Sequence, residues 1–253
     1  MRVQQRFVGM MAIRIGTAGW SIPRQLAFEF PAEGTSLNRY AARLGVAEIN
    51  SSFHRPHRRS TWERWYDSVP ETFRFSVKLP KLITHGHKLV DCAAVLDEFM
   101  AQASALREKL AVILVQLPPK LALDIRVAVN FFAALRARTD AKIACEPRHQ
   151  SWFTPEAGIL LKRVRVARVA ADPAICNAAA WPGGWGGLRY WRLHGSPAIY
   201  RSSYDARIDE YASKLEDQAA ASDVWCIFDN TASSAGTGDA LALMQVMRRQ
   251  GCR

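Results

Sequence analysis

The chain lacks long apolar runs. No stretch approaches the roughly 20 consecutive apolar residues that a bilayer-crossing helix needs, and the longest candidate, 111–117, has the length of a strand. No membrane partner is expected. Residues 1–11 carry Arg2 and Arg6 without the apolar run and small-residue cleavage site of an export signal. The five cysteines, Cys92, Cys145, Cys176, Cys226 and Cys252, form an odd set with no C-x-x-C pair, which reads as reduced thiols in a cytoplasmic protein. Cys145 and Cys226 sit in strand-like runs, where cysteine behaves as a small hydrophobe.

Several cofactor and nucleophile signatures are also missing. The segment after the first strand candidate reads Gly16-Thr17-Ala18-Gly19-Trp20-Ser21, without the G-x-G-x-x-G spacing of a dinucleotide fold. There is no P-loop and no G-x-S-x-G, and Pro197 in Gly195-Ser196-Pro197 opposes the helical turn a nucleophile elbow requires. No Gly/Ser-rich linker divides the chain.

What is present is an ordinary globular composition with an excess of cations. Of 253 residues 49% are hydrophobic, and 34 Lys plus Arg stand against 23 Asp plus Glu, a net charge of +11. That balance favours anionic partners. Two basic clusters stand out, Arg55, Arg58, Arg59 and Arg64 after one strand candidate and Lys162, Arg163, Arg165 and Arg168 around another. A solvated face is their commonest explanation, and phosphate binding the sharper one.

Strand-length apolar runs recur at 13–16, 46–50, 73–78, 112–117, 143–146, 166–172, 190–194 and 224–229. Segments with helical spacing lie between most of them, at 91–109, 124–137, 154–162, 206–220 and 238–247. Asp91, Asp124 and Thr154 are expected as N-caps. Eight strands alternating with helices over this length predict a single-domain α/β fold, a (β/α)₈ TIM barrel spanning 12–253, with residues 1–11 as a weakly ordered N-terminal extension. The Gly-rich stretch 178–188 is expected as a long flexible loop in place of a helix.

Alternate side chains on a barrel strand point inward. Anchoring that period on the apolar residues places Glu48 and Asn50, Arg74, Ser76 and Lys78, Gln116, Glu146 and Arg148, Asp172, Arg192 and His194, and Asp229 inside. Most stand at the C-terminal strand ends, where barrels of this kind build their sites. Glu146, Asp172, His194 and Asp229 would form an acidic arc around one histidine, suited to acid/base catalysis or to a divalent metal ion, with Glu48 opposite. Ligand spacing assigns no metal. The competing account is an internal ion-pair network in which Arg14, Arg74 and Arg192 neutralise Glu48 and Glu146. Trp20, Phe53, Trp152, Trp181, Trp185 and Tyr200 fall in strand-to-helix loops, either stacking on a ligand or capping the barrel.

Particular strings then carry a resemblance. Ile13-Arg14-Ile15-Gly16-Thr17-Ala18-Gly19-Trp20, Glu48-Ile49-Asn50-Ser51-Ser52-Phe53, Gln116-Leu117-Pro118-Pro119, Glu146-Pro147-Arg148-His149, Arg192-Leu193-His194-Gly195 and Phe228-Asp229-Asn230-Thr231 occur in this order. The chain resembles the YecE-like family, domain of unknown function 72, from the first strand to the last helix. The resemblance implies a (β/α)₈ barrel with a polar cleft at the strand ends and supplies no reaction. His54 departs from the tyrosine expected there.

These readings predict an enzyme, a hydrolase or phosphodiesterase, acting on an anionic phosphate-containing substrate such as nucleic acid or a sugar phosphate. His194, Glu146, Asp172, Asp229 and Glu48 are the candidate catalytic residues. Lys78, Arg148, Arg192, Asn50, Gln116, Trp20, Asn230 and Arg201 are the candidate binding residues. The alternatives are a non-catalytic nucleic-acid-binding protein and a metal-free carbohydrate enzyme using paired carboxylates.

Overall fold

A computed structural model describes residues 13–251; the expected N-terminal extension and Cys252 lie outside them. The eight apolar runs account for nine of the ten strands among the described residues, Gly183–Gly184 being the tenth: β1 (Ile13–Ala18), β2 (Val46–Ile49), β3 (Arg74–Lys78), β4 (Leu110–Gln116), β5 (Lys142–Glu146), β6 (Val166–Arg168), β7 (Ala170–Asp172), β8 (Gly183–Gly184), β9 (Leu188–Leu193) and β10 (Asp223–Phe228). The helices are α1 (Ser36–Ala41), α2 (Arg59–Asp67), α3 (Ala93–Ala103), α4 (Ile125–Arg136), α5 (Pro155–Arg163), α6 (Ile208–Ala219) and α7 (Ala235–Gly251). None of the described helices is long and apolar enough to cross a membrane.

The strands pair in parallel from β9 through β10, β1, β2, β3, β4 and β5 to β6. The single strand expected at 166–172 is two, flanking Val169: β6 pairs with β5 and β7 with β9. This one run of chain therefore joins both sides of the sheet, giving a TIM-barrel-like fold. As expected, no α-helix intervenes between β7 and β9. The Gly-rich stretch is not wholly loop, however, because Gly183 and Gly184 add an antiparallel β8 to β6. A Cβ at Gly184 would lie 2.6 Å from the Val166 carbonyl oxygen, and its φ is +66°, so this approach needs glycine.

The alternation read from sequence separates two cores. Val46, Val112, Leu114, Ala144, Ala167, Val169, Tyr190, Trp225 and Ile227 pack within the barrel. A larger cluster, including Ile49, Phe75, Val77, Ile113, Cys145, Leu193 and Phe228, packs the strands against the helices. Cys145 and Cys226 are fully buried free thiols whose pKa values burial pushes up, consistent with their reading as small hydrophobes.

Helix starts follow the sequence in two places. Asp124 accepts from the Val127 amide at 3.0 Å and Thr154 from the Ala157 amide at 3.2 Å. Asp91 does not cap α3, which begins two residues later beyond Cys92; Asp91 itself has φ +50° in the preceding turn. The basic segment after β2 also proved partly helical, with Arg59 and Arg64 on α2.

Candidate functional site

The C-terminal strand ends converge on a buried guanidinium. Arg192, at the end of β9, is fully buried. It reaches Glu48 from β2 (Nε to Oε2 3.1 Å; Nη2 to Oε1 2.7 Å), Glu146 from β5 (Nη1 to Oε2 2.6 Å) and Asp229 after β10 (Nη2 to Oδ2 2.9 Å). Below them the Tyr190 hydroxyl donates to Glu48 Oε2 at 2.9 Å and stands 2.8 Å from Ser76 Oγ. Three buried carboxylates on one cation are tolerable only with such hydrogen bonding.

His194 closes the network toward solvent. Its Nδ1 lies 2.9 Å from Asp229 Oδ2 and its Nε2 3.2 Å from Glu146 Oε1. Arg148 donates to that same Glu146 oxygen from Nε (3.1 Å) and Nη2 (3.0 Å). Asn50 Nδ2 is 3.4 Å from Asp229 Oδ1, and Asn50 Oδ1 is buried without a partner. Lys78 Nζ stands 4.1 Å from the centre of the Phe53 ring.

Protonation follows from these contacts. Burial raises the Glu146 pKa, but Arg192, His194 and Arg148 overcome it and hold the carboxyl well below its usual range. Asp229 is likewise lowered, burial being outweighed by Arg192 and His194. For His194, burial favours the neutral ring, yet the Glu146 charge and the hydrogen bonds to both acids raise its pKa. Burial and the Arg192 charge bring Lys78 down to about 8, against the pull of Glu48, Glu146 and Asp229.

The signs define a stability window. The lowered acids contribute above their unfolded pKa values near 4.5 and 3.8 and lose that contribution as pH falls. The raised histidine contributes fully below 6.5 and loses its contribution as pH rises through the folded value. The acids and the histidine are therefore together most stabilising between 4.5 and 6.5, whereas Lys78, lowered to about 8, contributes only as pH rises above that value, an effect common to the wild type and a His194 variant. Urea unfolding at about pH 5.5 and about pH 8.5 should give a gain toward the acid side that is smaller in His194→Asn. An equal gain in the variant would contradict the window.

A cleft of about 360 Å³ opens above the network. Glu146, Arg148, His194 and Tyr200 supply its polar wall, and Phe153, Ile175 and Ile199 are among its apolar residues. This size suits a small ligand.

The candidates from sequence thus divide. Glu146, Arg148 and His194 reach the cleft; Asp229 and Arg192 lie behind them and position them. Glu48 points inward as expected but is fully buried beneath Arg192 and does not line the cleft. Asp172 is a correction. Its carboxylate turns to Arg207 Nη1 (2.6 Å) and the Tyr211 hydroxyl on the helical side of the sheet, because the inward register of Ala167 and Val169 continues to Ala171. Arg14 and Arg74 are not partners of these acids. Arg74 donates to the Phe73 carbonyl at 2.9 Å, and Arg14 lines a separate cavity with Met244 and Arg248.

Other binding candidates have structural contacts. Trp20 packs edge-on to Trp65 (5.2 Å) and Phe75 (6.5 Å) between barrel and helices, not in the cleft. Asn230, fully buried, donates to Ser202 O (2.9 Å) and Asp239 Oδ2 (2.6 Å), pinning the loop that carries Tyr200. Arg201 is exposed on that loop. Gln116 is buried in register with Glu146. Sequence reasoning missed Tyr190 as a polar partner, although it shares the inward parity of Arg192 and His194.

Among the described residues, no group of three or more His, Cys, Asp and Glu side chains could hold a metal ion. All six oxygens of Glu48, Glu146 and Asp229 already have protein partners. The arrangement suits proton transfer beside bound negative charge.

The family model described as "Protein of unknown function DUF72" matches residues 14–252. "UPF0759 protein YecE" of Escherichia coli K12 is 29% identical over 106 residues, 42% of this chain and 38% of YecE. "UPF0759 protein YunF" of Bacillus subtilis is 27% identical over 150 residues, 56% of this chain and 53% of YunF. The matched stretches thus span about half or less of these relatives' own length. A crystal structure of a DUF72 family protein from Enterococcus faecalis V583 superposes with a TM-score of 0.78 at 20% identity, covering 94% of this chain and 96% of that one. A second, from Thermotoga maritima, gives 0.74 at 20% identity, covering 93% and 99%. With the family model spanning nearly every described residue, the chain belongs to the DUF72 family.

Proposed function

We infer that the protein is an enzyme performing acid/base chemistry on a small phosphorylated compound, a sugar phosphate rather than a polymer, in the cleft at the C-terminal mouth of the barrel. The carrying observation is charge. With His194 and Lys78 protonated, four cations (Arg192, Arg148, His194, Lys78) face three carboxylates (Glu48, Glu146, Asp229), leaving one positive charge for a ligand to balance. Arg148 on the cleft wall is the natural phosphate contact, with the buried Lys78, whose charge acts on Glu146 and Asp229, adding to the positive field.

His194 is the proton carrier. Its pKa is raised by the acids on either side, and as imidazolium it gives Nδ1–H to Asp229 and Nε2–H to Glu146 Oε1, so it protonates a substrate oxygen when that oxygen displaces Glu146 Oε1 from Nε2; the oxygen gains the proton, the ring is left neutral, and Glu146 and Asp229 favour its reprotonation from solvent. The paired-carboxylate glycosidase reading needs one acid that stays protonated near neutrality. Arg192 and His194 hold both Glu146 and Asp229 low, which favours the phosphate reading over that pair.

The test is a panel of sugar phosphates, other phosphomonoesters, phosphodiesters and uncharged sugars, followed by phosphorus and proton NMR. Turnover confined to small phosphorylated compounds and lost in Arg148→Ala is the expected result. Turnover of uncharged sugars, or of no phosphorylated compound, would overturn the proposal.

A further inference from the structure

A second concavity runs along α5 on the flank of the barrel, apart from the cleft except for the shared Phe153 ring. Its volume is about 1030 Å³, and it lies between α5 and the chain that forms β8. Its charged lining residues are Lys162, Arg168 and Arg189, with no acid. Among the described residues none of these three cations makes an ion pair, and no acid lines the groove beside them. The groove therefore holds concentrated positive charge with no internal counter-charge.

Arg168 is the built part of this site. It is nine-tenths buried, donates through Nη2 to the Ala178 carbonyl at 2.9 Å, and leaves Nε buried without a partner. Its guanidinium lies 4.9 Å from the Phe153 ring centre, and Gly183 lets the chain pass so close that a Cβ there would stand 2.6 Å from Nη2. A cation buried under glycine with an orphan donor lacks the carboxylate that ordinarily accompanies it. Phe153 and Trp185 add two aromatic walls, and the Trp185 amide is tied to the Val166 carbonyl at 2.9 Å.

Three unpaired cations and two aromatic rings in one groove match a ligand that combines phosphate with a planar base. We propose that the groove along α5 is a nucleotide-binding site, with Lys162, Arg168 and Arg189 receiving the phosphates and Trp185 or Phe153 the base. It uses Lys162 and Arg168 of the basic cluster around residue 165, which the cleft does not use, and it stands independently of the chemistry assigned to His194.

Titration of the protein with ADP, inorganic phosphate and adenosine, read by tryptophan fluorescence and calorimetry, tests this. ADP is expected to saturate below about 1 mM at low salt, more tightly than phosphate or adenosine alone, and to weaken as salt rises. Lys162→Glu and Arg189→Glu, both at solvent-accessible positions, are each expected to weaken ADP by about tenfold or more, while Arg148→Ala leaves it unchanged. Absence of saturable ADP binding would overturn the proposal. So would binding that Arg148→Ala removes and the two charge reversals leave intact, since the nucleotide would then occupy the cleft.

Discussion

Arg192→Met should lower folding stability by about 3–5 kcal/mol, measured by urea unfolding near pH 7. The Arg192 side chain is wholly buried and its guanidinium holds Glu48, Glu146 and Asp229. Methionine has comparable length and removes the charge, so the loss reports three acids left with too little compensation rather than a cavity. Arg192→Lys should fall between, because one ammonium cannot reproduce the fork that meets acids on three different strands. Adding Glu48→Gln to Arg192→Met should recover part of the loss by removing the most deeply buried unpaired charge. A loss under about 1 kcal/mol in Arg192→Met would mean that the acids are held by something else.

His194→Asn should reduce turnover of the phosphorylated substrate by about 10²–10⁴-fold, the range expected when a positioned proton carrier is lost. The wild-type rate should fall as pH rises through the raised His194 pKa, since the donor form is then depleted. That alkaline limb should vanish in the variant. Glu146→Gln should move the limb to lower pH, because the largest charge favouring imidazolium is gone. A purely structural histidine would instead change stability and leave the shape of the profile intact.

Much of this site was legible before any coordinates. Alternation along short strands separates the two faces without knowledge of neighbours, so Ser76, Lys78, Glu146, Arg192 and His194 could be turned inward from sequence alone. Asp172 failed because the run 166–172 is apolar at both parities, so the alternation has no unique anchor there, and the helical side offered Arg207 and Tyr211 as partners. For Glu48 the direction was legible and the depth was not: alternation gives the side of the sheet, whereas position along the barrel axis puts it beside Tyr190 rather than at the mouth. Arg14 and Arg74 were miscast as its partners for the same reason. Trp20 and Asn230 lie in loops, where no period applies, and tertiary packing decided their roles. The family strings ending in Arg192-Leu193-His194-Gly195 marked the correct strand ends without distinguishing supports from groups that reach the cleft.

His194 stands between Glu146 and Asp229, which raise its pKa and favour the imidazolium form. The most direct test of that assignment is NMR titration of the His194 ring in the wild type, in Glu146→Gln and in Asp229→Asn. The wild-type pKa should lie above 6.5 and fall in both variants. A wild-type value at or below 6.5, or one that neither substitution moves, would contradict it.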